Sequence, residues 1–382
     1  MSPRSKREVL EAIIVRYRKA ARTVKTAILN EFCEACGYHR KHALRLLNRF
    51  QRFNKLRKRP RGRAPVYRPE ELLLPLKRIW KTAYMPCSKR LKACIPHWLS
   101  GYAKTYGPLP LPVINALLRI SPATIDRMLK PERAKHRLFG RATTKPGTLL
   151  KKHIPVKVDQ WDEKRPGFLE ADSVSHCGGS TEGVYASTLD CVDIATTWTE
   201  QRAVWGKGYQ PVIEQIRDIE RRLPFPLLGF DSDNGSEFIN HHLLRYLTEG
   251  RKQPVQFTRS REYKKDDNAH VEQKNWTHVR QWLGYDRLDD PAVVPLMNDL
   301  YTTEWRLFHN FFCPSTKLIS KKRVASKTVK RYDTPKTPYQ RIMESPDIPE
   351  KTKQQLTEQL KDLNPFELRN AMEAKLKKIF SR

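Results

Sequence analysis

The sequence predicts an α/β core that follows all-helical units. In the first 130 or so residues, apolar side chains recur every three or four positions, as on the buried face of a helix. From residue 168 onward, apolar segments of strand length alternate with helical ones, in the order strand, strand, strand, helix, strand, helix, strand, helix. A basic stretch with Gly140, Pro146, Gly147 and Pro155 separates the two parts and predicts a connector.

Length and charge restrict the class of protein. The chain of 382 residues indicates two or more domains, because single cores rarely grow past about 250 to 300 residues. Lysine and arginine number 73 against 41 acidic residues, and this net charge of +32 favours a polyanionic partner over a merely soluble surface. No apolar run reaches the length of a membrane span, so we expect a cytoplasmic protein without a membrane partner.

Residues 1–51 predict a helix-turn-helix domain. A second helix ends near Cys36, a short turn follows, and a third helix over residues 40–50 would turn Ala43, Leu44 and Leu47 inward. Its outward residues, which suit a recognition helix in the major groove, are Arg40, Lys41 and Arg45. An ordinary three-helix bundle would show nearly the same pattern, but residues 1–68 hold 20 lysines and arginines against 4 glutamates, which favours DNA.

Residues 52–68 predict a basic arm. Seven of the twelve residues from Arg52 to Arg63 are basic, and such a run stays extended without a partner. The Pro-Arg-Gly-Arg sequence within it is similar to a minor-groove AT-hook, while a flexible linker that touches only phosphates is the alternative. The DNA contacts predicted in this arm are Arg57, Lys58, Arg59, Arg61 and Arg63.

Seven scattered cysteines do not suggest a disulfide framework. The run of Cys33, Cys36, His39 and His42 contains zinc-binding residue types, but its spacing is too tight for the usual two-pair site. We therefore expect small buried thiols rather than a zinc module.

Residues 69–134 predict a second helical, helix-turn-helix domain. Residues 72–84 and 88–106 are helix candidates, and Pro96 is expected to shorten or kink the second. Ser121 and Pro122 then start a helix. Its polar side presents Thr124, Arg127 and Lys130 as DNA contacts. Residues 135–160 link this domain to the core.

Acidic residues stand at the ends of core elements. Asp172 lies at the end of an apolar strand, Asp233 follows the apolar run 227–230, and Glu272 lies in the opening turn of a helix. A carboxylate that leaves a buried strand is costly unless a cation or a proton meets it. Capping of a turn is the alternative for Asp233. Asp231 and Glu170 share strand faces with the first two and are the second choices.

At these motifs, Asp-Asn-Gly-Ser-Glu-Phe and Val-Glu-Gln-Lys-Asn, residues 165–312 resemble the DDE transposases and retroviral-type integrases. The wider pattern is similar to a bacterial insertion-sequence transposase. The resemblance implies a ribonuclease H-like catalytic core over residues 161–312, with a mixed five-stranded sheet and flanking helices. It also implies that Asp172, Asp233 and Glu272 form the catalytic and metal-binding triad.

The resemblance further implies that the loop before the glutamate helix approaches substrate DNA. Lys264 and Lys265 are the contacts predicted in this loop, and His270 and Lys274 are predicted contacts on the helix. Residues 313–382 are predicted as a basic, helical C-terminal region whose role stays open between DNA and a neighbouring protomer.

Transfer of a DNA phosphodiester needs an activated oxygen, a stabilised leaving oxygen and neutralised phosphate charge, which two Mg2+ or Mn2+ ions supply together. Three carboxylates give hard oxygen ligands for such ions. The sequence therefore predicts an enzyme, a DDE polynucleotidyl transferase, that binds element ends, cleaves their 3′ ends and transfers them into target DNA. We expect double-stranded DNA as partner, at least a dimer on it, and a nucleoid-associated location.

Three other interpretations fit parts of the sequence. A sequence-specific DNA-binding regulator with an inactive ribonuclease H-like core would bind element ends and leave them uncut. A ribonuclease H-type nuclease would cleave RNA in a hybrid, which the two predicted DNA-binding units disfavour. A structural assembly protein would tolerate amide substitutions in the acidic triad.

Overall fold

The structure is a computed structural model that describes residues 1–49, 67–135, 163–206, 208–260, 269–324 and 327–381. The chain divides into two compact units, Met1–Val66 and Tyr67–Arg382. Each unit has its own hydrophobic core. Within the described residues, no helix combines the length and the apolar character that crossing a bilayer requires.

The described residues of the smaller unit form three helices: α1 (Pro3–Lys19), α2 (Arg22–Cys36) and α3 (Arg40–Arg49). Gly37 ends α2 with a left-handed backbone, at a φ of 64°, which glycine adopts without steric cost. Phe32, Ala43 and Leu47 are buried in the core between the helices. Leu44, which we predicted to face inward, is 39% exposed, so α3 buries a narrower stripe than its sequence suggests.

Four helices open the larger unit: α4 (Pro69–Thr82), α5 (Ser88–Tyr106), α6 (Leu111–Arg119) and α7 (Pro122–Lys135). α5 covers the whole candidate range with Pro96 inside it, so the expectation that Pro96 shortens this helix is wrong. These helices share one hydrophobic core with the sheet and the last helices of the chain. The domain boundaries that we place within residues 69–382 therefore stay predictions, because pieces that share one core need not fold separately.

Five strands form the central sheet: β1 (Phe168–Ser175), β2 (Ala186–Asp193), β3 (Thr199–Trp205), β4 (Gly229–Ser232) and β5 (Gln256–Arg259). Their order is β3-β2-β1-β4-β5. β1, β2 and β3 are antiparallel, whereas β4 runs parallel to both β1 and β5. This mixed sheet with flanking helices, preceded by helical regions, confirms the predicted fold class.

Helices that connect or follow the strands are α8 (Tyr209–Arg222), α9 (His241–Thr248), α10 (Ala269–Lys274), α11 (Gln281–Leu283), α12 (Val293–Leu300) and α13 (Arg306–Phe312). Two π-helical segments, π1 (Asn275–Arg280) and π2 (Tyr301–Trp305), continue α10 and α12. We did not predict them, because one extra residue per turn leaves no separate signal in a periodicity of 3.6.

The C-terminal region contains a hairpin, β6 (Leu318–Val324) and β7 (Lys327–Tyr332), and three helices, α14 (Pro338–Glu344), α15 (Glu350–Asp362) and α16 (Pro365–Phe380). The two long helices, α15 and α16, agree with the helical character predicted for residues 313–382. α16 docks on α5, where a side chain on Gly101 would come within 2.7 Å of Asn364 Oδ1. The Trp98 ring also meets the Phe366 ring edge-on at 5.3 Å, so the final helix completes the core.

Candidate active site on the central sheet

Four carboxylates lie on neighbouring strands of the sheet. β1 and β4 are parallel, and their register pairs Glu170 with Asp231. Two positions further along each strand come Asp172 and Asp233, and the latter directly follows the end of β4. Because side chains alternate between the faces of a strand, this spacing gives two rows of carboxylates on one face.

The row formed by Glu170 and Asp231 is buried and serves the fold. Both residues are 3% exposed. Glu170 Oε2 accepts hydrogen bonds from the backbone N–H groups of His270 and Val271, each at 3.1 Å, and so caps the beginning of α10. Asp231 Oδ1 accepts a hydrogen bond of 2.5 Å from Thr258 Oγ1 on β5. Through these contacts, Glu170 links β1 to α10, and Asp231 links β4 to β5.

The row formed by Asp172 and Asp233 is half-buried. Asp172 accepts hydrogen bonds from the Ser173 backbone N–H at 2.7 Å and from Asn275 Nδ2 at 2.6 Å. Asp233 Oδ1 accepts one from the Gly235 backbone N–H at 3.0 Å. A side chain on Gly235 would come within 2.9 Å of that oxygen, so a larger residue there would displace the Asp233 carboxylate.

The charges of the two aspartates of this row influence one another. Burial, followed by the charge of Asp233, raises the pKa of Asp172 to about 7. Two adjacent carboxylates thus repel each other near neutral pH, and a bound cation would relieve that repulsion.

Glu272 lies on α10. Hydrogen bonds tie α10 and its continuation π1 to β1, one set before Glu272 and one after it. Glu170 holds the first turn, and Asn275, three residues after Glu272, holds Asp172. The Glu272 side chain is exposed. Among the described residues, no three His, Cys, Asp or Glu side chains are grouped closely enough to hold a metal ion. The structure therefore brings Asp172 and Asp233 together and tethers the helix of Glu272 to them, without gathering the three carboxylates.

The residues around Asp172 fit a hard divalent cation. Carboxylate oxygens are the ligands that Mg2+ prefers. Asn275 adds an amide oxygen, Oδ1, which is buried and has no hydrogen-bond partner among the described residues. Such an acceptor calls for a donor, and a cation or its bound water would serve.

Two further titratable groups, Asp190 and Lys274, are buried near Asp172. Asp190 stands opposite Asp172 in the register of β1 and β2, is fully buried and accepts a 2.8 Å hydrogen bond from Gln201 Nε2. Burial raises the pKa of Asp190 to about 7. Burial also lowers the pKa of Lys274 to about 7. Lys274 is only 4% exposed, so the structure places its ammonium in the interior, and we do not retain it as a DNA contact.

The other predicted DNA contacts fall into two groups. Exposed on the surface of their own units are Arg40, Lys41, Arg45, Arg127 and Lys130, while Thr124 is half-buried. Arg127 donates a 3.1 Å hydrogen bond to Thr124 Oγ1, and Arg40 donates one to Asn30. Outside the described residues lie Arg57, Lys58, Arg59, Arg61, Arg63, Lys264 and Lys265. Exposure permits contact with DNA but does not test it.

Sequence reasoning missed the cap that Glu170 provides. An acidic residue inside the apolar segment Phe168-Leu169-Glu170-Ala171 signals a buried partner. That partner is the start of a helix 100 residues later, and no local pattern identifies it.

Comparison with known proteins finds a clear relative. The uncharacterized protein y4rM of Sinorhizobium fredii (strain NBRC 101917 / NGR234) is 38% identical over 346 residues, which cover 89% of this chain and 96% of that protein. No family model matches the chain.

Two solved structures show weak likeness. One is a simian T-cell lymphotropic virus intasome in complex with the PP2A regulatory subunit B56 gamma, with a TM-score of 0.33, 14% identity, and coverage of 62% of this chain and 72% of that chain. The other is the catalytic core domain of BIV integrase, with a TM-score of 0.27, 15% identity, and coverage of 46% and 91% respectively. Both scores are below 0.5, so the fold assignment rests on the order and direction of the strands.

Proposed function

We propose, from the premise that this chain belongs to the family of the uncharacterized protein y4rM, that it is a DNA transposase or integrase of the DDE type. In this proposal it binds the ends of a bacterial insertion sequence, cleaves their 3′ ends and transfers them into target DNA. The observation that carries the proposal is the adjacency of Asp172 and Asp233, with the helix of Glu272 tied to Asp172 through Asn275.

Asp172, Asp233 and Glu272 would hold the Mg2+ or Mn2+ ions. When bound, two such ions neutralise phosphate charge and stabilise both the attacking and the leaving oxygen. The residues of the chain supply orientation. The Asn275 amide fixes one oxygen of Asp172, and the Glu170 cap fixes the start of the helix that carries Glu272. Asp172 lies on β1 and Asp233 directly follows β4, and the pairing of these two neighbouring strands favours a fixed spacing between the ligands.

Double-stranded DNA is the partner that the charge supports best. The net charge is +32, and the exposed basic residues of α3 and α7 lie on short helices that follow tight turns. In our proposal, these helices and the basic arm contact element ends. Joining two ends in one reaction requires two copies of the chain, so we propose at least a dimer on DNA.

A DNA-binding regulator with an inactive core is the alternative. It is favoured by one observation, that no three potential metal ligands are grouped among the described residues. Binding without cleavage would distinguish it.

The test is a strand-transfer assay with duplexes that carry the DNA flanking the coding frame. Wild-type protein should cleave and join these ends only with Mg2+ or Mn2+. Asp172→Asn and Glu272→Gln should bind the same ends and transfer none of them. Glu214→Gln, an exposed carboxylate on α8, is the matched control and should keep full activity. Wild-type binding without any cleavage would support the regulator instead.

A further inference from the structure

A polar cavity lies in the larger unit, and its described lining includes none of the four carboxylates of the two rows. Its volume is about 200 Å3, and its walls are the connector between α4 and α5, the first turn of α5, π1, α11 and the end of α13. At about 30 Å3 per water molecule, it has room for about seven waters or for a small polar ligand. The residues that decide its chemistry are Arg90, Thr277, His278, Gln281 and His309.

His309 is a buried polar group without a partner. It is 3% exposed, and neither ring nitrogen has a hydrogen-bond partner among the described residues. The His278 ring lies 4.0 Å from it, but His278 is itself paired with Thr277 Oγ1 at 2.8 Å and with Lys274 Nζ at 3.4 Å. An unsatisfied buried imidazole costs free energy unless a bound group completes its hydrogen bonds.

The surroundings of the cavity are cationic. Its described lining includes Arg90 and contains no Asp or Glu. Burial and the positive charges of Lys274, Arg369 and Arg90 hold the pKa of His309 well below its usual range. A negatively charged ligand would compensate this accumulation of positive charge.

The beginning of α5 points the same way. This helix has 19 residues, its N-cap Cys87 makes no side-chain capping hydrogen bond, and its first turn holds no acidic residue. The uncapped N–H groups and the helix dipole favour an anion at this end. Cys87 and Arg90 both line the cavity, so the helix begins at its wall.

The walls also carry backbone conformations that are uncommon outside ligand sites. Tyr84 and Met85 have left-handed φ angles of 61° and 54° in succession. Thr277 and His278 belong to a π-helical segment, a feature that is frequent at functional sites. Both features lie on the lining of this one cavity.

We infer that this cavity binds a phosphate group, held by Arg90, His309 and the N-terminus of α5. The shared chemistry admits two sources, a free phosphate or a backbone phosphate of DNA. The site does not depend on the carboxylate rows, so Asp172→Asn should still bind phosphate, and the inference can fail while the proposed DNA chemistry holds.

The test compares inorganic phosphate with chloride at equal ionic strength and pH, by thermal unfolding of the full chain and by 31P line broadening. At a phosphate concentration ten times Kd, the ratio of folded to unfolded protein should rise about elevenfold. Arg90→Gln and His309→Phe should each lose this response. Lys89→Gln, an exposed neighbour on the same helix, should keep it.

An equal response in Arg90→Gln and wild type, or no response in wild type, would overturn the inference. If Arg90→Gln does not fold, His309→Phe and the 31P measurement on wild type decide the matter. Addition of duplex DNA identifies the source. Release of phosphate by DNA assigns the site to a backbone phosphate, and retention of phosphate beside DNA assigns it to the free ion.

Discussion

The two rows of carboxylates differ in role although they share two strands and one face of the sheet. Glu170 and Asp231 are buried and accept hydrogen bonds from a helix start and from a neighbouring strand. Asp172 and Asp233, two positions further on, are half-buried, and burial followed by the charge of Asp233 raises the pKa of Asp172. The difference shows that the hydrogen-bond partners of a carboxylate, rather than its residue type or its strand, decide its role. One row stabilises the fold, and the other stays available for the proposed cation.

Removing a charge from the outer row should have the largest effect. Asp172→Asn, Asp233→Asn or Glu272→Gln would remove a cation ligand, and we expect strand transfer to fall by at least about 10^3-fold, equivalent to about 4 kcal/mol in the transition state. Binding of element ends, measured by fluorescence anisotropy, should stay within about threefold of wild type, because the DNA-binding helices are unchanged. Retained transfer in any of the three would remove that residue from the site.

Removing a charge from the inner row should act through stability. Glu170→Gln weakens the cap on α10, and we expect a loss of about 1 to 2 kcal/mol in the free energy of unfolding by urea denaturation. Transfer should fall on the order of tenfold, since Glu272 is less well positioned. If activity vanished while stability stayed unchanged, Glu170 would be a ligand and the distinction between the rows would be lost. Glu214→Gln should change stability by less than about 0.5 kcal/mol.

The raised pKa of Asp172 predicts a pH dependence in EDTA. In the folded protein the pKa of Asp172 is about 7, so the carboxyl group keeps its proton up to that pH. In the unfolded chain its pKa is about 4, and the proton is released there. Stability therefore falls as pH rises from about 4 to about 7. Asp172→Asn should match wild type at about pH 4 and exceed it by about 1 to 2 kcal/mol at about pH 8, a moderate gain because water reaches part of the side chain. An equal difference at both pH values in urea denaturation would contradict this explanation.

The smallest effect is expected at Asp231. Asp231→Asn keeps an oxygen that can accept from Thr258, so we expect a stability change below about 1 kcal/mol and transfer within about threefold of wild type. Asp233→Asn is the matched comparison, one step along the same face. A complete loss of transfer in Asp231→Asn alone would exchange the roles of the two aspartates.

Much of the fold was readable because its elements carry regular apolar patterns. The strand predicted from Phe168 and the helix predicted over residues 88–106 appear with nearly the predicted bounds. The hairpin β6–β7 was missed, because its paired positions include Lys321 with Lys330 and Lys322 with Val329 rather than alternating apolar residues. Charged residues at strand positions break the apolar alternation from which a half-buried strand is predicted.

The candidate site was readable only in part. The resemblance to DDE enzymes implied that Asp172 and Asp233 share one site, and the structure pairs their strands β1 and β4 side by side. Lys274 is buried and its pKa responds to the charge of Asp190 on another element, and the cap by Glu170 depends on a helix 100 residues away. Such long-range contacts leave no trace in local spacing. The catalytic role of the triad stays a prediction for the experiments above.

The docking of α16 on α5 has a consequence for biosynthesis. The surface of Trp98 that Phe366 covers stays open while the intervening chain is being translated. In contrast, the helices described in the smaller unit all lie within the first 49 residues. We therefore expect the larger unit to bury this part of its core only after α16 has been translated, later than the described helices of the smaller unit can pack together.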